Sequence, residues 1–138
     1  RKKDILVTAG GKNIAPQNLE NDLKASRFIS QAIVVGDRRP YPAALVTLDE
    51  VEVAKWATAQ GQSGDTAALA ADPRVIALVQ GIVDDVNSER SRYEQIKKFV
   101  ILPRDFTMEQ DEVTPTLKLK RRAIMKNFAD AVDSLYEP

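Results

Sequence analysis

The 138-residue sequence predicts an α+β domain, and two observations carry that prediction. Short β-branched or apolar runs, bounded by glycine, proline or aspartate, are typical of strands. Elsewhere, apolar residues recur at every third or fourth position, which is the spacing of an amphipathic helix. The length fits one domain, residues 1–138, that buries roughly two-thirds of its unfolded surface. We therefore expect an N-terminal β-hairpin plus a roughly three-stranded central sheet packed by about four helices.

The N-terminal segment predicts a hairpin followed by a helix. The short apolar runs 5–7 and 12–15 flank Gly10-Gly11, and such a pair favours a turn because glycine accepts positive φ. Pro16 then suits the first turn of a helix, whose apolar face carries Leu19 and Leu23.

The central sheet is predicted from three further runs. Segments 31–36 and 43–48 are β-branched or apolar and flank the polar loop 37–41, which indicates a second antiparallel hairpin. Segment 97–102, closed by Pro103, predicts the third strand.

Two further helices are predicted from their start signals. Asp49, followed three residues later by Glu52, resembles a capping box for a helix that places Trp56 in the core. The small, polar segment 60–71 predicts a connection, after which Asp72-Pro73 starts the longest helix. The apolar residues assigned to one face of that helix are Val75, Val79, Ile82, Val86, Tyr93 and Ile96.

Composition removes several classes of function. Lysine plus arginine and aspartate plus glutamate each number 20, so no overall basic field attracts nucleic acid. With neither cysteine nor histidine, the chain lacks disulfides, thiolate and zinc-thiolate sites, and a Ser-His-Asp triad. No apolar run approaches the roughly 20 residues that cross a bilayer, and nothing resembles a signal peptide, so a cytoplasmic location is expected.

One lysine is placed where a loop becomes a helix. Segment 107–114, TMEQDEVT, has three carboxylates and no apolar periodicity, which predicts an exposed loop. From Lys120 onward, apolar residues fall at helical spacing, at Ile124, Phe128, Val132 and Leu135. Lys118 is therefore expected where the loop becomes the last helix. A solvated helix start is the alternative interpretation of the basic run 118–126.

Two segments carry a resemblance to a known superfamily. RKKDILVTAGGKNIAPQNLE at 1–20 and TPTLKLKRR at 114–122 resemble the two C-terminal-domain motifs of adenylate-forming enzymes. These include acyl-CoA synthetases, firefly luciferase and peptide-synthetase adenylation domains. The second segment is most similar to long-chain fatty acid–CoA ligases, because many other members have glycine where this chain has Leu117. The first motif normally follows the large N-terminal domain, so we expect the chain to be a fragment cut or processed at that junction.

The resemblance implies an enzyme that activates a fatty acid as acyl-AMP and transfers it to coenzyme A. Lys118 matches the lysine of the adenylation step, and Lys120 is the competing candidate. Arg1 matches the arginine that contacts the nucleotide ribose. Lys3 matches the hinge about which the domain rotates between the two steps.

The resemblance also implies partners. The loop of Gly10, Gly11, Lys12 and Asn13 matches the segment along which CoA passes, and is one residue longer here than in several relatives. ATP, Mg²⁺ and the acyl chain are expected on the chain's own N-terminal domain, with no metal ligands in this chain. The fragment alone is expected to be inactive, and the parent enzyme either cytoplasmic or peripheral to a membrane.

Two other interpretations stay open. One is a different adenylate-forming enzyme, such as a fatty acyl-AMP ligase or a medium-chain ligase. The other is a noncatalytic module whose basic C-terminal helix binds polyanions with salt-sensitive affinity.

Overall fold

The computed structural model describes residues 5–61, 66–90, 92–116 and 118–136. Within these ranges, the chain forms five strands, six α-helices and one 3-10 turn. In order, they are β1 Leu6–Val7, β2 Asn13–Ile14, α1 Pro16–Lys24, β3 Ile29–Val35, β4 Ala43–Leu48, α2 Glu50–Ala59, α3 Thr66–Ala70, α4 Pro73–Asn87, a 3-10 turn at Arg92–Glu94, β5 Lys98–Ile101, α5 Arg121–Asn127 and α6 Ala129–Ser134.

The strands form two sheets, as the sequence predicts. β1 and β2 are an antiparallel hairpin, and the central sheet has the order β3-β4-β5. β3 pairs antiparallel with β4, whereas β5 pairs parallel with β4 on its other side. The predicted α+β fold is therefore confirmed, with β4 at the centre of the sheet and buried along its whole length.

Apolar side chains cover both faces of the central sheet because successive side chains of a strand point to opposite sides. Ala44 and Val46 of β4 pack in a cluster with α1, α2, α3 and α4. Leu45, between them, packs in a second cluster with Leu102, α5 and α6. The domain thus has helices on both faces of one three-stranded sheet.

The predicted helix starts are confirmed. Pro16 is the first residue of α1. At α2, the Asp49 carboxylate accepts a hydrogen bond from the backbone N–H of Glu52 at 3.0 Å. At α4, the Asp72 carboxylate accepts from the N–H of Arg74 at 2.8 Å. Each cap satisfies an N–H that has no partner within its helix.

Two boundaries differ from the prediction. The predicted connection 60–71 contains the short helix α3, where Leu69 is buried. α4 ends at Asn87, so the predicted face does not continue to Tyr93 and Ile96. Ile96 instead pairs with the Asn87 side chain, whose amide donates to the Ile96 carbonyl at 2.9 Å and whose oxygen accepts from the Ile96 N–H at 2.8 Å.

The last helix is divided into α5 and α6 at Phe128. Its backbone angles, φ −116° and ψ 32°, interrupt the helix. The Phe128 ring lies edge-on to Phe106, with centroids 5.9 Å apart, and under the Arg104 guanidinium at 4.8 Å. These contacts fix the break against the second apolar cluster.

The β1–β2 hairpin docks on the β3–β4 connection through backbone contacts. The N–H of Ala9 donates to the Arg39 carbonyl, and the N–H of Arg38 donates to the Val7 carbonyl, both at 2.8 Å. The N–H of Val7 donates to the Asp37 carboxylate at 3.1 Å. Among the described residues, no helix is long and apolar enough to span a bilayer.

Candidate active site

Lys118 lies near the tip of a small antiparallel loop, residues 112–120, that we call the lysine hairpin. The N–H of Thr114 donates to the Lys118 carbonyl at 2.8 Å, and the N–H of Lys118 donates to the Thr114 hydroxyl at 3.0 Å. One step further from the tip, Val113 and Leu119 form an antiparallel bridge. These contacts hold the backbone of Lys118 while its side chain is exposed. Leu117 lies outside the described residues.

The base of the lysine hairpin contains a fully buried carboxylate, Glu112, with 0% of its surface exposed. Arg104 donates to both of its oxygens at 2.7 and 2.8 Å, while Asn127 and the N–H of Thr107 donate at 2.9 and 3.1 Å. The prediction that 107–114 is an exposed loop is therefore wrong at Glu112. A buried carboxylate is stable only when paired, and Arg104 supplies the pairing cation.

The electrostatics of Glu112 follow from these donors. Burial by itself raises the pKa of the Glu112 carboxyl, but the hydrogen bonds from Arg104, Asn127 and Thr107 together outweigh it, and the pKa lies below its ordinary value. The Arg104 pKa is raised, chiefly by the same hydrogen bond to Glu112. The pair is therefore fully charged at neutral pH.

A second arginine–carboxylate pair anchors the other end of the lysine hairpin. Arg121, the first residue of α5, donates to the two oxygens of Glu20 on α1 at 2.7 and 3.0 Å. Glu20 is 5% exposed and also accepts from the N–H of Val34 at 2.7 Å, while Arg121 donates to the Val34 carbonyl at 3.2 Å. Since β3 is an edge strand, this pair satisfies peptide groups that no strand covers.

The two competing lysines differ in their partners. The Lys120 ammonium is paired with the Asp111 carboxylate. The Lys118 ammonium has no ion pair or hydrogen bond within the described ranges. Of the two, Lys118 is thus the one whose ammonium group is available to an anionic ligand.

An open groove runs between α1 and the segment from the lysine hairpin into α5. Six cations and three carboxylates line it, a net charge of +3. The cations are Lys24, Lys118, Lys120, Arg121, Arg122 and Lys126, and the carboxylates are Glu20, Asp37 and Asp111. Two of the three carboxylates are paired with Arg121 and Lys120, so the remaining cations create a positive field suited to a phosphate-bearing ligand. The described residues contain no cluster of three or more acidic side chains that could hold a metal ion.

The glycine loop predicted for CoA passage is the turn between β1 and β2. The N–H of Gly11 donates to the Thr8 carbonyl at 2.9 Å, and Gly11 adopts φ +84°. A Cβ on Gly10 would meet only the Thr8 hydroxyl, 4.0 Å away. None of Gly10, Gly11, Lys12 and Asn13 lines the groove beside Lys118, so the two motifs lie at different places on the surface. Arg1 and Lys3, the predicted nucleotide contact and hinge, lie outside the described residues.

Sequence reasoning missed the residues that hold the lysine hairpin, namely Glu20, Arg104, Glu112 and Asn127. The one local signal was Glu20 itself, which lies between Leu19 and Leu23 on the apolar face of α1. A carboxylate in that position requires a buried cation. Nothing local identifies Arg121 as that cation.

The comparisons with known proteins identify the family of the chain. Residues 3–138 match the family described as AMP-binding enzyme C-terminal domain. The chain therefore belongs to that family, the C-terminal part of adenylate-forming enzymes, and the resemblance predicted from its two motifs is confirmed.

Relatives with high sequence identity are fatty acid–CoA ligases. Identity is 45% over 141 residues to the long-chain-fatty-acid–CoA ligase FadD15 of Mycobacterium tuberculosis, covering 99% of this chain and 23% of that protein. It is 34% to the peroxisomal long chain acyl-CoA synthetase 7 of Arabidopsis thaliana, covering 99% of this chain and 20% of that protein. The chain thus spans less than a quarter of the length of these two relatives.

Solved structures agree on the fold. The A-PCP didomain of carboxylic acid reductase from Segniliparus rugosus, in complex with AMP, superposes with a TM-score of 0.75 at 22% identity, over 99% of this chain and 18% of that one. A Mycobacterium tuberculosis fatty acyl CoA synthetase superposes with a TM-score of 0.56 at 18% identity, over 92% of this chain and 20% of that one.

Proposed function

We propose that this chain is the C-terminal domain of an ATP-dependent long-chain fatty acid–CoA ligase. The observation that carries the proposal is an unpaired ammonium, that of Lys118, on a hairpin anchored at both ends beside a groove of net charge +3. Support for the substrate class comes from the two relatives at 45% and 34% identity described above, whose names specify long-chain fatty acids or long-chain acyl-CoA. ATP, Mg²⁺ and the acyl chain are bound by a large N-terminal domain.

The proposed reaction has two steps. A carboxylate oxygen of the fatty acid attacks the α-phosphorus of ATP, and pyrophosphate leaves, which gives the acyl adenylate. The thiol of CoA, losing its proton, then attacks the acyl carbonyl, and AMP leaves. The first step brings a carboxylate and a phosphate together, so it requires a cation placed between them.

Lys118 supplies that cation in the proposed first step. A lysine ammonium is a compact charge with three donors on a flexible stem, which lets it bridge carboxylate and phosphate oxygens. Its backbone is fixed through Thr114, so only the side chain has to be ordered when the substrates bind. Lys120 is a poorer candidate, because its ammonium is already paired with Asp111.

In the proposed second step, the domain rotates about Lys3 and presents the glycine loop, residues 10–13, to the active site. Gly10 has open space where a Cβ would lie, so the fold itself does not require glycine there. A close approach by the pantetheine arm of CoA gives a reason for a small residue. Arg1 contacts the ribose of the nucleotide.

The two lysines provide the test of the proposal. In the full-length ligase, Lys118→Ala should slow formation of the acyl adenylate by roughly 10²–10³-fold, the loss expected from one preorganised charge contact. Conversion of supplied acyl adenylate to acyl-CoA should be nearly unchanged. Lys120→Ala is the matched control. If Lys120→Ala gave the large adenylation defect and Lys118→Ala did not, the assignment would be off by two residues.

The hinge is tested by Lys3→Pro. Proline fixes φ near −65° and removes a backbone donor, so it should hinder rotation between the two states. If the domain is held in the first state, adenylation survives while thioester formation falls. Equal losses in both half-reactions, or none, would refute a hinge at this position.

Two alternatives are separated by further assays. Another adenylate-forming ligase would keep the Lys118 effect but prefer medium-chain acids, or release acyl-AMP without using CoA. The cationic groove also favours a polyanion-binding module, which predicts tight binding of heparin or nucleic acid by this chain with a steep salt dependence. For the ligase domain, we expect weak polyanion binding and no turnover by the isolated chain with ATP, Mg²⁺, CoA and palmitate.

A further inference from the structure

We propose that Glu112 is a positioning residue for Lys118: its buried carboxylate fixes the base of the lysine hairpin and so fixes where the ammonium group is presented. This inference rests on the function proposed above for Lys118. It gives a role in adenylation to a residue that never touches the substrates.

The contacts of the Glu112 carboxylate are unusually complete. Oε1 accepts from Arg104 at 2.7 Å and from the N–H of Thr107 at 3.1 Å. Oε2 accepts from Arg104 at 2.8 Å and from Asn127 at 2.9 Å. The donors come from the segment after β5 and from α5, so one carboxylate joins both of these to the lysine hairpin.

The backbone of Glu112 also belongs to the hairpin. Its carbonyl accepts from the N–H of Lys120 at 2.8 Å, and its N–H donates to the Thr107 carbonyl at 2.9 Å. The Val113–Leu119 bridge follows, and then the Thr114–Lys118 pair. The hairpin is therefore a short ladder whose first rung is Glu112 and whose last rung is Lys118.

Orientation, rather than stability, is what this arrangement supplies best. Arg104 is 40% exposed, and an ion pair with a buried member adds little stability compared with apolar residues of the same volume. Four directional donors, however, fix both the position and the plane of a carboxylate. A displacement of about 1 Å at a reacting group costs up to 10²-fold in rate. If the Glu112 end of the lysine hairpin becomes mobile, the Lys118 ammonium is displaced and the rate of adenylation falls.

The first test uses the isolated chain and amide hydrogen exchange. Glu112→Gln keeps the shape but sets an amide N–H₂ against the Arg104 donors. The amides of Thr114 and Lys120 should then exchange about tenfold faster or more, while β4 amides change far less. The control is Val79→Ala, which opens a cavity in the opposite apolar cluster and should speed exchange in proportion everywhere. Equal acceleration of hairpin and β4 amides in Glu112→Gln would overturn the proposal.

The second test uses the full-length ligase and separates the half-reactions. Glu112→Gln should lower kcat for adenylation about tenfold or more, with KM for ATP within about twofold and thioester formation from supplied acyl adenylate unchanged. Val79→Ala, assayed well below its unfolding midpoint, should change neither step. A loss shared equally by the two steps, or matched by Val79→Ala, would mean that Glu112 is only structural.

A milder variant keeps the test decisive if Glu112→Gln fails to fold. Asn127→Ala removes one of the four donors and should reduce adenylation about threefold with the same selectivity. If Lys118→Ala leaves adenylation intact, the proposed function is wrong. If Lys118→Ala slows adenylation but neither Glu112→Gln nor Asn127→Ala does, only the positioning role is wrong.

Discussion

Replacing Arg121 by methionine should destabilise the domain strongly, although the residue lies in a run of surface lysines and arginines. The substitution removes both hydrogen bonds to Glu20 and the one to the Val34 carbonyl. It leaves the Glu20 carboxylate, 5% exposed, with the Val34 N–H as its remaining described donor. Removing one partner of a buried ion pair costs about 3–5 kcal/mol. Because the Arg121 side chain is 23% exposed, water offsets part of this, and we expect about 2–4 kcal/mol.

Urea unfolding of the isolated chain measures this cost. Trp56, the one tryptophan, packs beside Phe28 in the apolar cluster on the opposite face of the sheet from α5, so its fluorescence does not report the substitution directly. Far-ultraviolet circular dichroism should give the same midpoint if the domain unfolds in one transition. The matched control is Arg122→Met, because Arg122 is exposed and has no ion pair among the described residues.

The control should change the free energy of unfolding by no more than about 0.5 kcal/mol. Adding Glu20→Gln to Arg121→Met should recover part of the loss, because a buried neutral amide costs less than a buried unpaired carboxylate. If Arg121→Met and Arg122→Met destabilised the chain equally, or if the double variant were less stable than Arg121→Met, the buried pair would not be what fixes α5 to α1.

Three further outcomes follow from particular contacts. The Tyr136 pKa is raised to about 12, chiefly by burial, so the stability tied to its neutral hydroxyl is present below pH 10 and is lost as the pH rises through 12. The advantage of wild type over Tyr136→Phe should shrink by about 1–2 kcal/mol across that interval, less than the full shift implies, because the side chain is only half-buried. The Glu112 pKa is lowered, so the advantage of wild type over Glu112→Gln should hold above the ordinary value of 4.5 and decline as the pH falls below it, measured by urea unfolding at each pH. Gly36→Ala should cost about 1–3 kcal/mol, because a Cβ there lies 3.2 Å from the Pro42 Cα at φ +155°, whereas Gly10→Ala should stay within about 0.5 kcal/mol in the same assay.

Most of the fold was predictable because its signals are local. The aspartate caps at Asp49 and Asp72 and the proline at position 16 each act within one turn of a helix, so the sequence around them is sufficient. The end of α4 was not predictable in this way. Ile96 continues the apolar spacing, but it lies outside α4, and its backbone pairs with the Asn87 side chain nine positions earlier.

The residues of the candidate site also divide into those with a local sequence signal and those without one. Lys118 was identified from a contiguous motif, and the structure distinguishes it from Lys120 by the ion pair of Lys120 with Asp111. Its catalytic role stays a prediction. The buried partners were not predictable, since a glutamate in a polar segment looks exposed until its donor is known. Glu20 and Arg121 are 101 positions apart, and only the folded chain brings them together.

The positions of these pairs bear on the proposed rotation. If the domain rotates between two working states, Lys118 and the glycine loop must move as parts of one rigid body. The Glu20–Arg121 pair fixes the lysine hairpin to the edge of β3 at Val34, and the β3–β4 connection fixes the glycine loop to the same strand pair through Arg38 and Arg39. Both motifs are therefore tied to one sheet by hydrogen bonds. A rotation of the whole domain would then change the geometry of neither motif.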